Sequence, residues 1–226
     1  MVLAVGALLA VLAGPVPLVL AALSALVLAV VAYLYADRVV LGLSRARPVS
    51  ADEEPRYHNL VEGLCVSAGL PKPDLYVIDD DAPNSFATGR NPAHASIVVT
   101  AGLLQNLSRL EVEGVVAHEL AHIRRNDILV TSLGAALVGL PLPGGLATRV
   151  LTALVGRGRE RDADLGGVRL TRYPPGLAAA LEKVRTGGPG ALAASAVTAH
   201  LWISSPLDAE DGRSRLEERI AALRDM

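Results

Sequence analysis

Arg109-Leu110-Glu111-Val112-Glu113-Gly114-Val115-Val116-Ala117-His118-Glu119-Leu120-Ala121-His122-Ile123-Arg124 is the stretch that decides how this chain is read. It contains no proline, and Ser108 just before it is a residue type that caps helix starts. On a helix, His118 and His122 lie on one face, one turn apart. Both imidazoles can therefore reach one cation, and Glu119, one step round, can reach a water held on it. Zinc suits this ligand set and lowers the pKa of a bound water toward about 7. A carboxylate beside it can take that water's proton and later deliver it to a leaving amine. The competing reading is a pair of water-satisfied histidines on a surface helix. With only 5 His in 226 positions, the spacing is rare by chance.

A third protein ligand has to come from elsewhere in the chain. Asp127 is too near in sequence to fold back easily. Arg159-Glu160-Arg161-Asp162-Ala163-Asp164 serves better, because Glu160 and Asp164 are four apart and share a helix face. Glu160 can bind the metal while Asp164 accepts the second N–H of a ligand histidine and fixes its tautomer. Alone, these alternating charges would read as a salt-bridged surface helix. Beside two histidines in need of a partner, they read as the rest of the site, and one Zn2+ per chain is expected.

Composition adds a membrane. Hydrophobic residues make up 51% of the chain, and the mean hydropathy is +0.40. Residues 2–36 carry no charge. As one helix they would be roughly 52 Å long, well beyond a bilayer core of about 30 Å. Gly14-Pro15-Val16-Pro17 divides the run into Val2–Ala13 and Val16–Ala36, a transmembrane helical hairpin in which the second arm is long enough to span. A cleaved signal peptide would want a basic start and a shorter apolar core. Arg38, Arg45 and Arg47 follow, so the positive-inside rule puts the remainder in the cytoplasm, with the anchor in the cell (inner) membrane. A net charge of −2 and only 3% aromatic residues argue against a nucleic-acid partner. The single cysteine, Cys65, excludes an internal disulfide and reads as a buried thiol.

Between anchor and metal motif the pattern is α+β. Tyr57–Ala68 has helical apolar spacing and stops at Gly69 and Pro71. Leu75–Ile78 and Ile97–Val99 read as strands. Asp79-Asp80-Asp81 reads as a solvated turn, and His94 as a surface histidine. The expected organisation is a membrane anchor over 1–37, a linker over 38–56, and a metallopeptidase domain over 57–226.

Taken together, Ala68-Gly69-Leu70-Pro71-Lys72-Pro73, Asn84–Gly89, the His118–His122 motif with Ile123 and Asp127, Glu160 through Gly167, and Thr171-Arg172-Tyr173-Pro174 resemble the HtpX family of membrane metallopeptidases, relatives of the CAAX-prenyl endopeptidases. The resemblance implies a mainly helical, minigluzincin-like zincin domain with a small β-sheet. It implies His118, His122 and Glu160 as zinc ligands and Glu119 as catalytic base. It further implies a substrate edge strand at Ile97, Val98, Val99 and Thr100, pairing with extended polypeptide substrates, chiefly membrane proteins, in quality control at the cytoplasmic face of the lipid bilayer. Attack of a zinc-bound water would cut the chain.

Two departures stand out. The apolar stretch 128–155 is split by Pro141, Pro143, Gly144 and Gly145 into halves of about 20 Å, short of a span; a re-entrant, interfacial or buried hairpin is expected. Arg213-Ser214 occupies the place of the family's His-Pro pair before Arg219-Ile220. If that histidine steadies the oxyanion, Arg213, His200 or Tyr173 must stand in, since any positioned donor serves. The altered pair is the only support for an alternative, a membrane-anchored zinc-binding scaffold with lost or reduced turnover. The sequence does not speak to the oligomeric state.

Overall fold

The computed structural model describes residues 16–138, 158–188, 201–203 and 211–226, with side chains omitted at 16–18, 135–138 and 211–215. It separates into two units, 1–35 and 36–226. Helix α1, Val16–Leu43, begins in the first unit and ends in the second. Within the first unit it exposes Leu20, Leu23, Leu26, Val27 and Leu28 to the surroundings. Its stretch Val19–Leu43 is long and apolar enough to cross a membrane. The other expected arm, Val2–Ala13, lies outside the described residues.

The second unit starts at Ala36. Its first turns are part of a core: Val40 is fully buried with Ile78, Phe86, Val98, Leu201 and Trp202. Strand β1, Arg47–Pro48, then pairs antiparallel with β2, Asp74–Ile78. Arg47 and Pro48, inside the expected linker 38–56, are therefore attached to the sheet, a pairing that their composition does not reveal. Between β1 and β2 lies α2, Pro55–Ala68, which starts on a proline and ends on Gly69 in the left-handed conformation (φ 65°).

The sheet continues with β3, Ser85–Asn91, and β4, His94–Thr100, in the order β1-β2-β4-β3. Strand β4 pairs parallel with β2 and antiparallel with β3, with Ile97 between Leu75 and Ala87. This corrects the expectation of a substrate edge at Ile97–Thr100: both sides of that strand are taken. The run Ile97-Val98-Val99, fully buried, has no apolar–polar alternation because a central strand buries both faces. The unpaired edge on this side of the sheet belongs to β3.

Helix α3, Ala101–Asn106, leads into α4, Arg109–Arg124, the helix of the two-histidine motif. Helix α4 is buried almost throughout, from Val112 to Ile123, under the sheet and against α6, Arg159–Thr171, and α7, Pro174–Gly187. Helix α5, Asp127–Val138, packs along β3, and its Ser132 Oγ accepts the Gly89 N–H at 3.1 Å. It is the first part of the apolar stretch 128–155; residues 139–157 lie outside the described ones. Helix α8, Asp211–Arg224, closes the core with Leu216, Ile220 and Leu223.

Candidate metal centre

The site is built at the crossing of α4 and α6. Two glycines permit the approach: a Cβ on Gly167 would stand 2.9 Å from the His118 backbone nitrogen, and one on Gly166 would stand 2.6 Å from Ala121 Cβ. The helices can therefore come close enough for Glu160, in the first turn of α6, to reach the histidines of α4. His118 and His122 are 1% and 7% exposed, and their rings meet edge to face at 4.8 Å. Glu160 Oε2 lies 3.5 Å from His118 Nε2, and Oε1 lies 3.5 Å from His122 Nε2. One ligand atom from each of the three residues falls within 4.8 Å of the others.

Each imidazole is held from behind by a carboxylate. His118 Nδ1 lies 2.8 Å from Asp164 Oδ1. His122 Nδ1 lies 3.2 Å from Asp127 Oδ2. An ionised carboxylate can only accept, so both Nδ1 atoms carry the proton and both Nε2 atoms present lone pairs. Those two Nε2 atoms face each other at 3.2 Å. Lone pairs so placed, with the Glu160 carboxylate opposite, repel unless a cation lies among them. The donor set, two imidazoles and one carboxylate on a buried helix pair, fits zinc with a coordination position left open.

Arg219 completes the surroundings. Its Nε and Nη2 donate to Asp164 Oδ2 and Oδ1 at 2.7 and 2.8 Å, a two-point clamp. Its Nη1 lies 3.3 Å from Glu160 Oε2 and donates to the Ile203 carbonyl at 3.2 Å. Glu160 shows 32% of its side chain to solvent, yet its Oε2 is buried. Burial would raise the Glu160 pKa, but His122, His118 and Arg219 hold it well below the usual carboxylate range. Burial also works against a low pKa at Asp164, where Arg219 and His118 prevail and hold it down. At His118 burial opposes the charged form, and Asp164 and Glu160 outweigh it, raising the pKa to about 9.

Glu119, 1% exposed, points to the sheet side, where its Oε1 accepts the Ser85 hydroxyl at 2.6 Å. Of the residues expected to steady an oxyanion, His200 and the Arg213 side chain lie outside the described parts. Tyr173, at the start of α7 and 45% exposed, shares no hydrogen bond, ion pair or ring contact with the cluster among the described residues. Sequence reasoning missed Ser85, Arg219 and the support that Asp127 gives His122. Arg219 had a signal: it falls on the same face of α8 as Leu216, Ile220 and Leu223, and a lone arginine on an apolar face needs a partner. Ser85 had none.

The profile of Peptidase family M48 matches residues 51–225. Among curated proteins, the chain is similar to a "Protease HtpX homolog" of Tropheryma whipplei strain Twist, 35% identical over 88% of this chain and 81% of that one. A "Protease HtpX homolog" of Dictyoglomus thermophilum is 38% identical over 86% and 77%. One of Syntrophobacter fumaroxidans is 38% identical over 89% and 87%. No solved structure matches the chain. The match spans α2 through α8 and includes every residue of the His118–His122–Glu160 cluster, so the chain belongs to peptidase family M48 and is an HtpX-type metallopeptidase.

Proposed function

We propose that the chain is a zinc-dependent endopeptidase that cuts membrane or membrane-proximal proteins, with His118, His122 and Glu160 as metal ligands and Glu119 as general base. The observation that carries this reading is the pair of Nε2 atoms facing at 3.2 Å, each ring fixed from behind by a carboxylate. His118, His122 and Glu160 would hold the zinc ion, which would supply Lewis acidity and lower the pKa of a water at the site. Glu119 takes a proton from the attacking water and passes it to the leaving amine. Asp164 and Asp127 hold the histidine tautomers, and Arg219 holds Asp164. The ends of the β3 edge are engaged: the Ser85 carbonyl by the Ile203 N–H at 2.9 Å and the Gly89 N–H by Ser132.

Residues 1–35 serve as the anchor in this reading, and 36–226 as the catalytic unit. The arginines after α1 support a cytoplasmic catalytic unit on the cell membrane. Purified full chain should hold about one zinc, and Glu119→Gln should keep the zinc while losing cleavage of unfolded casein. Equal cleavage by wild type and Glu119→Gln would refute the assignment of the base.

A further inference from the structure

Ser85 opens β3 and is fully buried. Three bonds fix it. Its N–H donates to Asn84 Oδ1 at 3.0 Å, its carbonyl accepts the Ile203 N–H at 2.9 Å, and its hydroxyl donates to Glu119 Oε1 at 2.6 Å. The Ile203 carbonyl accepts from Arg219 Nη1, and Arg219 clamps Asp164, which faces His118 Nδ1. A continuous chain of polar contacts thus runs from the carboxylate of Glu119 through Ser85, Ile203, Arg219 and Asp164 to His118, the residue next to Glu119. The base and the ligand beside it are positioned by the same ring of contacts.

We propose that Ser85 is a positioning residue for peptide hydrolysis: it holds Glu119 by Oε1, so that Oε2 is the oxygen that takes the proton. The proposal rests on the reading of Glu119 as base. A carboxylate accepts only, so the serine hydrogen must lie on Oε1. Once Glu119 is protonated on Oε2, Oε1 remains a carbonyl acceptor and the serine bond persists. Protonation on Oε1 would instead weaken this bond, because a carboxyl hydroxyl oxygen is a poorer acceptor than the carbonyl oxygen. The hydroxyl therefore keeps one contact through both proton transfers and leaves the carboxylate a single working oxygen, which limits its rotation about the last side-chain bond.

The test uses the full-length chain in detergent, loaded with zinc, and a fluorogenic form of unfolded casein. Ser85→Ala should lower kcat about 10- to 100-fold with KM unchanged, the size of effect typical of residues one shell behind a metal site. Its zinc affinity, measured by chelator competition, should match wild type, because Ser85 touches no ligand, and its Tm should fall only by the loss of one buried hydrogen bond. A crystal structure of the metal-free Ser85→Ala protein should show Glu119 in more than one conformer. Wild-type kcat in the variant, or Glu119 held in the single wild-type conformer, overturns the proposal. So does a loss of kcat matched by loss of zinc affinity and Tm, which marks a structural role. Absence of cleavage by wild type, or full cleavage by Glu119→Gln, instead overturns the reading of Glu119 on which the proposal stands.

Discussion

His118, Glu119 and His122 are legible because their relation is local: once the segment is helical, positions four apart share a face whatever the rest of the chain does. Arg219 and Asp164 are 55 residues apart, and nothing local relates them. Their contact has a measurable consequence. Asp164 and Arg219 are 5% and 10% exposed, so removing one partner strands a buried charge. Arg219→Met should destabilise the protein by about 3–5 kcal/mol in urea unfolding. It should also weaken zinc binding about 10- to 100-fold by chelator competition, since His118 loses its fixed support. The double variant Arg219→Met/Asp164→Asn should recover part of the stability and none of the metal affinity, because the stranded charge is gone but the carboxylate behind His118 is gone too. Equal stability of single and double variants would mean that the pair is not energetically coupled.

At the scale of elements, β2 and β4 were visible, but β1, β3 and the order of the four strands were not. Ile97-Val98-Val99 announces a buried strand, but which strand pairs with it depends on chain crossing over 20 residues or more. The helix of the metal motif was legible from its cap. Ser108 donates its N–H to Glu111 Oε2 at 2.6 Å, and Lys183 of α7 reaches the same oxygen at 2.7 Å. Burial would raise the Glu111 pKa, but Lys183 and Ser108 outweigh it and hold it below 4.5. A depressed carboxyl pKa stabilises the fold above the unfolded value and loses that contribution as pH falls through the folded one. Gln keeps the acceptor for the Ser108 N–H and loses only the charge, so Glu111→Gln should cost less than about 1 kcal/mol at pH 7, because Lys183 is 43% exposed. The deficit should shrink in urea titrations as pH drops below about 4, and a constant deficit would contradict the charge argument. Gly167 tests the helix crossing directly. A Cβ there meets backbone atoms of Ala117 and His118 at 3.2 and 2.9 Å, which cannot rotate away. Gly167→Ala should push α6 off α4 and lower zinc affinity by more than about tenfold, although alanine is the better helix former.

At the scale of the whole molecule, the charge-free run 2–36 announced the apolar helix, but where the anchor ends and the packed unit begins was hidden. Ala36, the last residue of that run, and Val40, just beyond Asp37 and Arg38, are 3% and 0% exposed. The contrast predicts two different truncations. A chain beginning at Ala36 keeps Val40 against Ile78, Phe86, Val98 and Trp202 and should fold and bind zinc like the full chain. A chain beginning at Arg45 loses that contact and opens a hole beside Phe86 and Trp202, whose rings pack edge to face at 4.8 Å. Losing a buried aliphatic side chain of this size costs about 1–3 kcal/mol, so its Tm should fall well below that of the longer form. Flotation with lipid vesicles separates the membrane question from the folding one. The full chain should float and the chain beginning at Ala36 should stay at the bottom of the gradient. If that shortened chain floats while still binding zinc, the apolar stretch 128–155 is a second membrane contact, and the metallopeptidase lies on the bilayer by its own surface as well as by its anchor.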